Sequence, residues 1–397
     1  MPTERLYYAD PYLREFDATV ERVEHVDGRP VAILERTAFY PTSGGQPFDI
    51  GTLGAAHVVD VIDREDETVG HVLDRDVAPG SHLHGVIDWG RRFDHMQQHT
   101  GQHLLSAAFD QVLGARTVSF HLGKDSSTID LNREVSAGEI GKAEADANRV
   151  VWEDRPVAIR FVDAADAAPL GLRKESARTG TLRVIEVSDY DRSACGGTHV
   201  ARTGAVGLVA VQSWERFKGG TRVTFVCGGR ASRAFGALRD VVLETVRRLS
   251  VLPTELPAAI ERSQAESKDL KKALKAQQER LAVYEAAELA AKAVAAGSTR
   301  IVAEVLPSDA AALKSLTGAI VARPGYVAIL VSASLPPLVL IGRSQDVAVD
   351  AREILRHLID RFGGKGGGTA EMVQGGGFSA APDEILAAAR CLISAGG

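Results

Sequence analysis

Between residues 19 and 88 the apolar positions come in short runs, broken by Gly, Pro and Asp at turn-like spacing. Ala18-Thr19-Val20, Val31-Ala32-Ile33-Leu34, His57-Val58-Val59-Asp60-Val61-Ile62, His71-Val72-Leu73 and His84-Gly85-Val86-Ile87-Asp88 read as strands. Several strands spaced this regularly predict a small β-barrel. Within it, Thr42-Ser43-Gly44-Gly45-Gln46 reads as a glycine loop between strands. Over residues 95–113 the period becomes helical: Leu104, Leu105, Ala108 and Phe109 form a buried stripe, and Gly114 takes the stop position. Residues 118–131 return to strand. Residues 136–152 predict a second helix, with Ser136 as N-cap and Glu139 as its capping-box partner. Strands then follow at 157–162, 182–187, 206–213 and 222–227. Helices over a mostly antiparallel sheet make this part α+β.

The pattern changes again after residue 230. Residues 231–249 and 256–296 read as helices, with Pro253 and Pro257 marking the break. In the second of them Leu270, Leu274, Gln277, Leu281 and Tyr284 recur at 4-3-4-3 spacing, a seam of two to three heptads that predicts packing on the first helix as a hairpin or arm. Gly297-Ser298 is the hinge. Strands at 301–306, 326–332 and 338–341 and helices at 349–362 and 382–393 predict a separate α/β domain. Between its helices, residues 363–377 have the glycine density of a phosphate cradle without the Gly-Lys-Ser/Thr order of a Walker loop. The predicted division is a β-barrel at 1–88, a metal-binding domain at 89–230, a helical arm at 231–297 and a C-terminal α/β domain at 298–397.

Composition changes little in this picture. At 397 residues the chain can hold two or three cores, and 45% hydrophobic with 25% charged residues is ordinary for a globular protein. A net charge of −6 argues against a uniformly basic nucleic-acid coat and leaves room for a local basic surface. Such residues gather in one stretch: Arg173, Lys174, Arg178, Arg183, Arg216, Lys218, Arg222, Arg230 and Arg233. In Lys218-Gly219-Gly220-Thr221-Arg222 the glycines would let backbone N–H groups approach a phosphate or ribose. Three widely spaced cysteines suggest a reduced compartment. The N-terminus lacks the apolar core of a signal peptide, and no apolar run reaches membrane-spanning length, so a cytoplasmic protein without a membrane partner is expected.

The chemistry concentrates in two short stretches. His99-Thr100-Gly101-Gln102-His103 puts two imidazoles on one helix face, one turn apart. Cys195-Gly196-Gly197-Thr198-His199 can fold tightly enough to turn its thiolate and imidazole to one point. His99, His103, Cys195 and His199 together make a ligand set suited to Zn2+. His95 extends the same helix face and is a rival ligand or a residue bordering the site. No Glu follows the first histidine, which excludes the His-Glu-x-x-His arrangement of a zinc protease.

These residues also carry a resemblance. Asp88-Trp89, Arg92, the run from Met96 to Ser106 and Cys195-Gly196-Gly197-Thr198-His199 resemble the editing domain of alanyl-tRNA synthetases, and more so the free-standing AlaX-type editing proteins. Phe39-Tyr40-Pro41-Thr42-Ser43-Gly44-Gly45-Gln46-Pro47 and Ser119-Phe120-His121-Leu122-Gly123 agree with it. The glycine-rich run near the C-terminus resembles the DHHA1 module that ends those synthetases.

The resemblance implies a trans-acting hydrolase that cleaves the ester of tRNA(Ala) mischarged with serine, glycine remaining an open alternative. A pocket built for alanine rejects an added hydroxyl only about a hundredfold, so a second, hydrolytic site is needed. By the same resemblance Gln102 reads the serine hydroxyl, Ser119 and His121 line the pocket, and Arg92 counts with the catalytic residues. In the resembled family the loop with Gly44, Gly45 and Gln46 leans over the pocket, while Lys218 and Arg222 are expected to bind substrate from their own glycine turn. The C-terminal domain, through Lys365 and its glycines, would contact tRNA and form a homodimer. Whether zinc is catalytic or positions the substrate stays open, since four protein ligands fill a tetrahedral site. A non-catalytic tRNA-binding or synthetase-associated zinc protein is the alternative.

Overall fold

The computed structural model describes residues 1–164, 170–173 and 180–394, which leaves Lys174 and Arg178 outside the described residues. The chain forms two compact units, Met1–Thr245 and Val246–Gly397. The first begins with β1 (Glu4–Arg5), β2 (Glu15–Val26), β3 (Arg29–Leu34), β4 (Arg36–Thr37), β5 (Gly51–Leu53), β6 (Ala56–Asp63), β7 (Val69–Leu73) and β8 (His82–Ile87). Six of them close into a barrel in the order β2-β3-β7-β6-β5-β8. Alternation along β2 turns Phe16, Ala18 and Val20 into the barrel, where they meet Leu34, Phe39, Leu53, Val61 and Leu73.

Helix α1 (Trp89–Leu113) starts six residues earlier than the periodicity indicated. Asp88 is the reason: its carboxylate accepts from Arg91 N, capping a turn whose Trp89 and Phe93 rings stack at 5.6 Å. Gly114 ends the helix at φ 63°. There follow β9 (Thr117–Leu122), β10 (Ser127–Leu131), α2 (Ala137–Trp152), β11 (Val157–Asp163), β12 (Thr181–Val187), β13 (Asp191–Ala194), β14 (Val209–Phe217), β15 (Gly220–Cys227) and α3 (Gly228–Leu249). The Ser136–Glu139 capping box opens α2 as the sequence indicated. The sheet material is split in two, β14-β15-β10-β9 and β11-β12-β13, antiparallel throughout. Leu104, Leu105 and Phe109 of α1 pack with Ile140 and Val150 of α2 and with Ile129, Val223 and Phe225 of the larger sheet. That core fixes one face of α1 and leaves the two histidines on another.

The second unit holds α4 (Leu256–Ala291), β16 (Val294–Ala296), β17 (Thr299–Leu306), α5 (Ala310–Val321), β18 (Tyr326–Ser332), β19 (Leu338–Arg343), α6 (Ala351–Phe362), β20 (Lys365–Gly368), β21 (Met372–Gly376) and α7 (Pro382–Ser394). Its sheet runs β16-β17-β18-β19-β21-β20, with β17 and β18 the parallel pair. The last turns of α4, through Ala282, Ala286, Leu289 and Ala290, are built into this core beside α5. The helix assigned from the sequence to an arm at 231–297 therefore ends inside the core of the α/β unit. Of its heptad seam, Leu270, Leu274, Leu281 and Tyr284 are 70, 60, 56 and 69% exposed. The glycine run is the β20–β21 hairpin, with β20 an exposed edge strand beginning at Lys365. No described helix is long and apolar enough to cross a membrane.

Candidate metal centre

His99, His103, Cys195 and His199 converge, one ligand atom from each lying within 4.8 Å of all the others. Cys195 Sγ is 3.4 Å from Nε2 of both His99 and His199. Tetrahedral Zn–S and Zn–N bonds of about 2.3 and 2.0 Å require ligand-to-ligand edges of roughly 3.3–3.6 Å, which the two Cys195 edges match, and three imidazoles with one thiolate are donors of the kind that zinc takes. Helix α1 supplies two of the four candidate donors by its period. The loop after β13 supplies the other two, because Arg183 of β12 donates to the carbonyls of Cys195 (2.8 Å) and Gly197 (2.9 Å). Gly197 is required there: a Cβ would sit 2.1 Å from His99 Cε1.

Each imidazole is oriented from behind. His99 Nδ1 pairs with Gln46 Oε1 at 2.8 Å, His103 Nδ1 with Asp191 Oδ2 at 3.2 Å, and His199 Nδ1 with Thr100 Oγ1 at 3.2 Å. Fixing Nδ1 outward turns Nε2 inward, the usual arrangement behind metal-bound histidines. Gln46 is itself tied to the Cys195 loop, accepting from Thr198 N (3.0 Å) and donating to Thr198 Oγ1 (2.8 Å). Asp191 is clamped by Arg173 at 2.7 Å. Burial would raise the Asp191 pKa, yet His103 and Arg173 hold it well below the usual carboxylate range. Cys195 behaves alike: burial opposes its ionisation, but the His99 and His199 rings and the hydrogen bonds from His103 and His199 hold the thiol well below its ordinary value. A thiolate beside three oriented imidazoles is a site charged and shaped for a cation.

A cavity of about 660 Å³ opens onto this cluster, lined by Tyr8, Tyr40, Gly44, Gln102, His103, Ser119, Phe120, Arg183 and Cys195 among others. Gln102 is 3% exposed and donates from Nε2 to Ser106 Oγ at 2.8 Å, while its Oε1 has no partner. Ser119 donates to Asp130 at 2.5 Å, and Asp130 in turn binds Arg222 at 2.7 and 2.9 Å.

Other residues fall elsewhere than the sequence suggested. Gln46 is fully buried behind His99 and does not lean over the cavity. Arg92 is also fully buried, pairing with Asp49 and donating to the Pro11 and Ala38 carbonyls, so it joins helix to barrel away from the cavity wall. His121 is exposed and lies off the cavity lining. Arg222 is committed to Asp130 and stacks 3.6 Å over Phe217, while Lys218 sits exposed in the β14–β15 turn at φ 47°. His95 lines a separate cleft rather than the metal cavity. Lys365 belongs to the second unit. Asp191, Thr100 and Arg183 gave no sequence signal as site residues, because each acts through a partner distant in the chain or through a backbone carbonyl.

The chain is similar to known proteins along most of its length. Residues 182–224 match the family described as the threonyl and alanyl tRNA synthetase second additional domain. The alanyl-tRNA editing protein AlaX-L of Pyrococcus horikoshii is 30% identical over 395 residues, covering 96% of this chain and 96% of that protein. The alanine–tRNA ligases of Pyrococcus abyssi and Halorubrum lacusprofundi are 31 and 35% identical over 94 and 98% of this chain, which spans only 42 and 43% of their length. The C-Ala domain of Aquifex aeolicus alanyl-tRNA synthetase aligns with 25% of this chain and 93% of its own at 27% identity, with a TM-score of 0.23. With a relative matched along nearly the whole of both chains, the protein belongs to the AlaX family of alanyl-tRNA editing proteins.

Proposed function

We propose that the protein is an aminoacyl-tRNA deacylase that hydrolyses Ser-tRNA(Ala) in the cavity beside His99, His103, Cys195 and His199, with Zn2+ held by those four residues. Family membership supports the deacylase activity. The observation that carries the serine reading is the unpartnered Gln102 Oε1 at the cavity wall. A buried acceptor without a donor is costly, and a serine hydroxyl would satisfy it where an alanyl methyl cannot. Bound zinc would supply a fixed positive charge toward the substrate's amino or carbonyl group. The chain's own residues do the rest. Gln102 reads the side chain. Phe120, whose ring centroid lies 5.7 Å from that of His99, forms an apolar wall that shields the cleft from water. Ser119, held by Asp130, presents a polar oxygen at the cavity mouth. The second unit, through Lys365 on its edge strand and the exposed seam of α4, would add tRNA contacts and a dimer interface.

Purified protein offered Ser-, Gly- and Ala-charged tRNA(Ala) should release serine fastest and leave alanine in place. Failure to release any amino acid would leave the alternative, a tRNA-binding zinc protein. Gln102→Leu should lower kcat/KM for Ser-tRNA(Ala) by roughly 10–100-fold while zinc content stays at one per chain. Parallel loss of zinc would reassign Gln102 as a support of the ligand helix.

A further inference from the structure

A second cleft, of about 740 Å³, is lined by other residues of the same elements that line the cavity beside the histidines. The glycine loop gives Gly44 to the cavity and Pro47 to the cleft, and the β9–β10 hairpin gives Phe120 to one and Lys124 to the other. Helix α1 likewise serves both, with Gln102 and His103 in the cavity and Arg91, Asp94 and His95 in the cleft. At about 1.5 Å per residue, His95 lies only ~6 Å along the axis from His99.

The cleft is cationic. Asp94 is the one carboxylate in its lining, and Arg230 is committed to it at 2.7–3.0 Å. Three further cations remain. Arg91 uses Nε on the Phe48 carbonyl at 2.8 Å and lies over the Phe48 ring, with its terminal nitrogens uncommitted among the described residues. Arg233 is 73% exposed and reaches Asp94 only at 3.9 Å. Lys124 is exposed, with no ion pair among the described residues. Burial and the fields of Arg91 and Arg230 keep His95 neutral, its pKa near 4, so it adds no charge of its own. Its buried Nδ1 has no hydrogen-bond partner. Helix α3 also begins here at Gly228-Gly229, bringing the positive end of its dipole.

We infer that this cleft binds a phosphodiester of the RNA substrate where its acceptor strand leaves the metal cavity, an inference that rests on the editing reading above. Long exposed Lys and Arg side chains around an open cleft suit a tracked backbone, which needs charge and position but not a closed cage of amides. A small phosphorylated ligand shares this anion chemistry, and the experiment separates the two sources.

Lys124→Glu, Arg233→Glu and the double variant would be made in the full chain. Binding of uncharged tRNA(Ala) would be measured by filter retention from about 50 to 200 mM salt, and inorganic phosphate binding by calorimetry. The double variant should bind tRNA at least roughly tenfold more weakly at low salt, and its salt slope should fall by about two. In deacylation the loss should appear in KM rather than kcat. Wild-type affinity and slope in the double variant would overturn the inference. So would phosphate binding that the variant loses while its tRNA affinity is unchanged, which would assign the cleft to a small phosphorylated ligand. Because uncharged tRNA reports on the cleft directly, a protein that releases no serine would refute the editing reading without masking this result.

Discussion

Cys195→Ser and His103→Ala should each strip the metal from the protein and stop ester hydrolysis, losing more than any variant of the residues behind the ligands. Removing Cys195 deletes the donor that sits 3.4 Å from two imidazole nitrogens and takes away the negative charge that offsets a divalent cation. His103→Ala leaves Asp191 buried with its imidazole partner gone. Asp191→Ala or Gln46→Ala keeps all four ligands but frees one ring to rotate, a change worth about 10–100-fold in metal affinity. Metal content by elemental analysis and serine release, measured on the same preparations, should rank the ligand variants below the outer ones. Zinc unchanged in both Cys195→Ser and His103→Ala would sink the ligand set. Acid should act in the same direction. The ligands bind metal only when deprotonated, so falling pH releases the ion, and raising the pH with zinc present should restore it.

The convergence of His99, His103, Cys195 and His199 was legible because it is written in local spacing: an i, i+4 pair on a helix, and a Cys and a His held four apart by a Gly-Gly turn. The barrel and the capped second helix were legible for the same reason, since alternation and capping boxes act over a few residues. The groups that orient the ligands were not. Gln46 meets His99 across 53 residues and Asp191 meets His103 across 88, and neither pair leaves a trace in nearby sequence. Arg92 shows why adjacency misleads. It lies on the metal-binding helix within the family-like run, yet its turn packs on the barrel residues Ala38 and Asp49, two turns before the helix reaches the Cys195 loop. The helical period of α4 says nothing about which stretch is covered: Ala282, Ala286, Leu289 and Ala290 of its last turns join the core of the second unit, whereas Leu270, Leu274 and Tyr284 stay exposed.

Asp49→Ala is accordingly expected to damage the fold before it damages the chemistry. Asp49 and Arg92 both have fully buried side chains, and the guanidinium spends its remaining donors on the carbonyls of Pro11 (2.9 Å) and Ala38 (2.5 Å). Burying such a pair is no great source of stability in itself, because desolvation consumes most of the attraction. Removing one partner is another matter, since it strands a charge that cannot reach water and costs about 3–5 kcal/mol. For a unit of this size that loss corresponds to a fall in melting temperature on the order of 10 °C. Arg92→Met alone should cost a similar amount, by leaving the buried Asp49 carboxylate with only the Tyr40 N–H (2.7 Å) and no countercharge, and the Pro11 and Ala38 carbonyls without the guanidinium donors. The double variant Asp49→Leu with Arg92→Met should recover the part of the loss that comes from a stranded charge, because an apolar pair needs no solvation, while the cost of the Tyr40 N–H and the two carbonyls left behind remains. A catalytic Arg92 makes the opposite prediction. Arg92→Met would then melt at the wild-type temperature, hold its zinc and fail only in kcat, and thermal melts read beside serine release decide between the two.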